Sequence, residues 1–157
     1  MTARQIEKAT RGGSDIVRAD PKPRRKYKHK TERQKAVDAA DDAFSLYIRT
    51  LYPFCVTCGE PTQDCSHVFK RDHYSTRWNE QNAFGQCKKC HYLHHNKSES
   101  YLLEYASYHM GMKAFIELRD LWETISDYKT YQIEEIARFY NEKRKVLLAN
   151  LDGGDRI

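Results

Sequence analysis

Two cysteine pairs, Cys55-Val56-Thr57-Cys58 and Cys87-Lys88-Lys89-Cys90, constrain this chain more than anything else in it. Each CxxC turn offers two sulfurs, and two such turns close a tetrahedron of thiolates around zinc. With Cys55, Cys58, Cys87 and Cys90 filling all four positions, such a zinc is structural and keeps no open coordination site. A staple of this kind suits a chain of 157 residues, 31% of them charged, that has little apolar surface for a core. Of the five cysteines, four sit in pairs, which points to metal binding in a reducing compartment rather than to disulfides. The fifth, Cys65, reads as a buried or half-buried thiol, with an extra metal ligand as the alternative.

The stretch from Cys58 to Cys87 is long for a bare zinc ribbon and leaves room for a functional hairpin. It holds His67 and Asn82, and His91 follows the last cysteine directly. Phosphodiester hydrolysis needs a base to activate water and a cation to stabilise the charged transition state. A neutral imidazole is a suitable base near pH 7, and His67, on an expected strand, is the candidate. Asn82 can pin the hairpin loop by side-chain hydrogen bonds to backbone. His91 and His95 are four apart, so a helix puts both on one face to share a divalent ion, with Asp64 as a further oxygen donor. His94 replaces His95 if the helical register differs. Mg2+ or Mn2+ is the expected catalytic ion, although imidazole-rich sites also accept zinc or nickel. Singly, each of these residues reads as ordinary surface or core; the conjunction carries the inference.

Along the chain, residues 1–30 contain Gly12-Gly13, two prolines and the basic run Arg24-Arg25-Lys26-Tyr27-Lys28-His29-Lys30, and read as a disordered, DNA-contacting arm. Residues 31–150 form one domain and 151–157 a frayed tail. Val37, Ala40, Phe44, Tyr47, Ile48 and Leu51 recur at helical spacing up to Pro53, which predicts a helix packed on the zinc module. A strand around His67, a loop and returning strand over 78–86, and a helix from Cys87 to Lys97 follow. Three more helices are expected over 99–110, 113–126 and 130–150, with Ser98 as a cap and Gly111 as a stop. The last carries Ile133, Ile136, Phe139, Tyr140 and Leu147 along one side. Tyr74 and Trp78 read as hairpin core.

Residues 1–35 hold twelve Lys/Arg against four Asp/Glu, whereas the remaining 122 hold fifteen against eighteen. A basic arm on a mildly acidic body suggests a polyanionic partner. Lys70, Arg71, Arg77, Lys88 and Lys89 surround the histidine motif and are expected to grip phosphates beside the scissile bond. His73 is expected in a loop, exposed or touching phosphate. The polar start of the chain and the lack of a long apolar run predict a cytoplasmic protein with no membrane partner.

The stretch Asp41-Asp42-Ala43-Phe44-Ser45-Leu46-Tyr47-Ile48-Arg49, followed by Cys55-Val56-Thr57-Cys58-Gly59, resembles the phage NinG (Rap) family. So do Asp64-Cys65-Ser66-His67, Arg77-Trp78-Asn79-Glu80-Gln81-Asn82 and Gln86-Cys87-Lys88-Lys89-Cys90. The similarity spans about residues 35–148, with the specific motifs in 41–90. That family is similar to the HNH (His-Me finger) nucleases, such as phage recombination endonuclease VII. The resemblance implies a ββα-metal (HNH) core with a structural zinc held by four cysteines and with flanking helices: an α+β, mostly helical fold. It implies cleavage of branched DNA, Holliday junctions or D-loops, in phage recombination, and hence the host bacterial cytoplasm. His67 matches the general base, Asn82 the central asparagine, the four cysteines the zinc ligands, and Asp64 an acidic residue before the histidine. The chain departs from the family at His91, where asparagine is usual, and at Leu93-His94-His95-Asn96. Those changes move the site toward the common HNH pattern of histidine ligands. The functional expectation is a metal-dependent DNA endonuclease, working as a homodimer if symmetric substrates need two cuts. The alternatives are a non-catalytic, zinc-stabilised DNA-binding module and an HNH nuclease on plain duplex.

Overall fold

The computed structural model describes residues 29–96 and 99–153. The basic arm with Arg24, Arg25 and Lys26, the expected cap Ser98, the helix end at Lys97 and the last four residues of the tail lie outside the described residues. Among the described residues the fold is mostly helical, with one two-stranded sheet.

Helix α1 (Glu32–Leu51) starts at a capping box. The Thr31 hydroxyl accepts from the Gln34 amide at 3.2 Å, and the Gln34 side chain accepts from the Thr31 amide at 2.9 Å. Its buried stripe of Ala36, Ala40, Ala43, Phe44, Tyr47 and Ile48 lies mainly against the C-terminal helix rather than on the zinc module as expected. The reason is surface: the four-cysteine knot offers little apolar area, whereas Ile133, Ala137 and Tyr140 offer a complementary face. Leu51 and Phe139, both expected inward, are 37% and 56% exposed. Adjacent helical positions point about 100° apart, so Tyr140 takes the inward place that Phe139 cannot share.

Strand β1 (Asp64–His67) pairs antiparallel with β2 (Ala83–Gln86), with His67 opposite Ala83 and Cys65 opposite Gly85. Between them the chain forms a one-turn helix α2 (Tyr74–Arg77) and a 3-10 turn over Glu80–Asn82. Only loop was expected there; both turns are too short to leave a periodic signal. Helix α3 (Lys88–Asn96) completes a hairpin-then-helix unit. Gly85 is required where it stands: a Cβ there would lie 2.7 Å from the Tyr52 Cβ and 2.8 Å from the Tyr52 carbonyl oxygen.

Helices α4 (Glu99–Met110) and α5 (Met112–Trp122) are separated by Gly111 at φ +79°. Helix α5 stops at Trp122, four residues short of the expected end. Helix α6 (Thr130–Gly153) runs parallel to α1 and continues through 151–153, where a frayed tail was expected. Arg33 holds one end of this pair, bonding the Tyr128 carbonyl and Asp127, and Arg144 holds the other by donating to the Thr50 hydroxyl at 3.0 Å. Trp78 is core as expected, its carbonyl accepting from the Tyr140 hydroxyl at 2.6 Å. Among the described residues, no helix is long and apolar enough to cross a membrane.

Candidate metal centre and histidine cleft

The four sulfurs of Cys55, Cys58, Cys87 and Cys90 lie within 4.8 Å of one another, with Cys58 and Cys87 at 3.7 Å. A tetrahedron with Zn–S bonds of about 2.3 Å has S–S edges of about 3.8 Å, so the cluster has the size of a zinc cage. Backbone turns build it. The Gly59 amide donates to the Cys55 carbonyl at 2.9 Å, and Gly59 takes φ +78°, a value glycine adopts readily. A short bridge between Phe54 and Pro61 closes this first knuckle. The second is the start of α3, where the Cys90 amide donates to the Cys87 sulfur at 3.5 Å. Burial raises the Cys90 thiol well above its ordinary value. At Cys55 burial pushes the same way, but amides of Cys87, Thr57 and Cys58 outweigh it and bring the thiol down to about 7. A pocket that stabilises a thiolate there is suited to a cation. Among the described residues this is the group of Cys, His and carboxylate side chains assembled tightly enough to hold a metal ion.

A cleft of about 650 Å³ opens beside the cage, lined by Cys65, His67, Phe69, Lys70, Arg71, His91, His94, His95 and Trp122 among others. Strand β1 delivers His67 to this cleft and α3 delivers the other histidines. Burial, and then the nearby Arg71 charge, lower the His67 pKa to about 4. Its Nε2 lies 3.1 Å from the Arg77 carbonyl. A carbonyl only accepts, so Nε2 carries the proton and Nδ1 keeps the lone pair. The ring is therefore neutral at pH 7 with one basic nitrogen.

Asn82 is fully buried and ties the loop that follows His67. Its Oδ1 accepts from the Phe69 amide at 2.7 Å, and its Nδ2 donates to the carbonyls of Phe69 and Thr76, each at 3.0 Å. An asparagine is needed because one side chain both accepts and donates.

Asp64, His91 and His95 come together as a chain. Asp64 accepts from His91 Nδ1 at 3.1 Å, and His91 Nε2 lies 2.8 Å from His95 Nε2. That 2.8 Å separation is an N–H···N hydrogen bond, shorter than the roughly 3.4 Å between two nitrogens on a tetrahedral zinc with Zn–N bonds near 2.1 Å, so the two rings touch each other directly. Asp64 meets the far nitrogen of His91, a position that fixes the tautomer and orientation of a ligating ring. It was expected to reach the ion directly. His94, the alternative ligand, is buried behind the pair, its ring 5.1 Å from that of His95. Burial raises the Cys65 thiol to about 12, and the residue stands apart from the cysteine cage.

The basic residues divide. Lys70 and Arg71 are exposed on the rim of the cleft. Lys88 and Lys89 are exposed on the first turn of α3, beside the cage. Arg77, expected to grip phosphate, is turned inward: its guanidinium bonds Asp41 through two nitrogens at 2.9 and 2.7 Å and its side chain is only 20% exposed. Asp41 also accepts from the Trp78 indole at 2.9 Å. Sequence reasoning gave Asp41 no role, because its partners lie 36 and 37 positions away. Trp122 was likewise missed; nothing local marks it, and only the folding back of α5 brings it to the cleft. His73, expected in solvent or on phosphate, packs against the Trp122 ring at 4.7 Å.

Searches of protein-family models, of curated proteins and of solved structures found no match to this chain.

Proposed function

We propose that this protein is a metal-dependent DNA endonuclease with a ββα-metal core. Its substrates are branched recombination intermediates such as Holliday junctions and D-loops, as the NinG-like motifs imply. The observation that supports it is the meeting of His67, His91 and His95 in one cleft next to a four-thiolate cage, on a hairpin whose loop Asn82 pins. In this reading zinc fills the cysteine cage. His91 and His95 would hold the reactive cation, expected as Mg2+ or Mn2+, with a transition metal favoured by the chemistry of two imidazoles. That cation supplies charge stabilisation for the pentavalent phosphorus.

The chain's own groups do the rest. His67 Nδ1 accepts a proton from the attacking water, while the Arg77 carbonyl holds the ring in place through Nε2. Asp64 orients His91. Lys70 and Arg71 hold the phosphates on either side of the cut, which leaves 5′-phosphate and 3′-hydroxyl ends. A pKa near 4 makes His67 a poor acceptor in the free protein. Substrate corrects this in part, because a phosphate paired with Arg71 cancels the charge that depresses the imidazole.

The test is a panel of four-way junction, D-loop and linear duplex against Mg2+, Mn2+, Ni2+ and Zn2+, with His67→Ala as control. Cleavage of branched DNA by the wild type, and DNA binding without cleavage by the variant, is the expected result. A second reading has its own support, since among the described residues only the cysteines are assembled as a metal-holding group. In that reading the protein is a zinc-stabilised DNA-binding module. Stoichiometric zinc and tight DNA binding with no nicking under any ion would establish it in place of the first.

A further inference from the structure

We propose that Trp122 is a stacking platform for an unpaired nucleobase next to the scissile phosphodiester, an inference that rests on the nuclease reading and narrows its substrate. Trp122 is the last residue of α5 and lines the cleft together with His67, His91, His95, Lys70 and Arg71. It lies outside the three buried hydrophobic clusters of the fold. Yet its ring is held in advance. It stacks on Phe69, with centroids 5.5 Å apart and planes at 23°, the His73 ring leans against it at 4.7 Å and 44°, and Phe69 packs in turn on Phe115 at 5.6 Å, so a base would have to take the ring area that Phe69 and His73 leave uncovered. The indole nitrogen donates to the Lys70 carbonyl at 3.3 Å, which ties the ring to the loop that carries the phosphate-gripping side chains.

An aromatic wall between a cationic rim and a hydrolytic centre fits the two halves of a nucleotide. Lys70 and Arg71 suit the phosphate, and an indole suits the face of a base. In an intact duplex both faces of each base are covered by its neighbours, so only an unstacked base can take that place. Single strands, flaps and branch points offer such a base, and a continuous duplex does not.

The chain has two tryptophans, Trp78 and Trp122, and Trp78 is buried, so fluorescence isolates the platform. Full-length zinc-loaded protein is titrated with oligo-dT and with a duplex of equal length, with no further divalent cation added. Oligo-dT should quench the wild type saturably and the duplex much less, and Trp122→Phe should abolish the quench while keeping affinity within about twofold. In cleavage assays, Trp122→Ala should lower the preference for unpaired over paired substrate roughly tenfold, with Trp122→Phe preserving it. Quenching that persists in Trp122→Phe, equal quenching by duplex, or an unchanged preference in a folded Trp122→Ala protein overturns the proposal. If no DNA is cut under any ion, the nuclease reading falls and the fluorescence titration alone decides the platform. It also decides if Trp122→Ala does not fold.

Discussion

Keeping His67 neutral inside the protein makes the fold sensitive to acid. An exposed imidazole titrates near 6.5, whereas burial and the Arg71 charge bring His67 down to about 4. Below about pH 6.5 the unfolded chain binds a proton at this position that the folded chain does not, so acid favours unfolding. Stability from this group is complete above about pH 6.5 and is lost as pH falls toward 4, by about 3 kcal/mol across that window. Urea unfolding as a function of pH should show this loss, and His67→Gln should remove that part of the slope. Zinc release adds its own acid dependence in both proteins, so the quantity to compare is the difference between them. Equal slopes would mean that the His67 ring is solvated in the folded protein. Asn82 offers a second check: Asn82→Asp keeps the acceptor for the Phe69 amide but loses both donors and buries a charge, a change expected to cost about 3 kcal/mol or more. The sequence was informative on the loop-pinning role of Asn82 and on the strand that carries His67, both of which follow from residues close by in the chain. It was silent on Asp41 and Trp122, whose partners come from chain segments tens of residues away, where no spacing rule reaches.

Packing of short elements explains both what the pattern of residues foretold and what it left out. The apolar repeat in α1 and the punctuation at Pro53 and Gly111 were readable because helical periodicity is a local property. Which neighbour α1 packs against was not, since that depends on the relative apolar area of the cage and of α6. Nor did the pattern mark the α2 and 3-10 turns, which lack the length for periodicity. The hairpin is the element most exposed to test. Its close approach to Tyr52 involves backbone on one side and a Cβ on the other, neither of which can swing aside, so Gly85→Ala should lower stability by about 2–3 kcal/mol in urea unfolding. Full stability in that variant would show that β2 can move away from Tyr52. The knuckles carry a larger share. Cys87→Ser should eliminate stoichiometric zinc and lower the melting temperature by about 10 °C or more, measured by metal analysis and circular dichroism.

Basic groups are numerous enough for a polyanion to meet several of them at once. Five Lys/Arg lie within residues 24–30, Lys70 and Arg71 stand on the cleft, and Lys88 and Lys89 stand beside the cage. Each lysine or arginine that pairs with phosphate displaces condensed counterion, so the salt dependence of DNA affinity counts those pairs. Two neighbouring arginines then separate cleanly. Arg71 is 56% exposed, with a loose contact to Asp41 at 3.6 Å, so Arg71→Gln should reduce the slope of log affinity against log salt by about one and leave folding intact. Arg77 is held by Asp41 and lies over the rings of Tyr74 and Trp78. Arg77→Gln should therefore leave the slope alone and weaken the fold, because it strands the Asp41 carboxylate beside the Trp78 indole. Removing residues 1–28 should reduce the slope by several units at once. Binding measured by fluorescence anisotropy across a salt series distinguishes these cases, and a slope that falls with Arg77→Gln but not with Arg71→Gln would mean that DNA approaches a different face of the molecule.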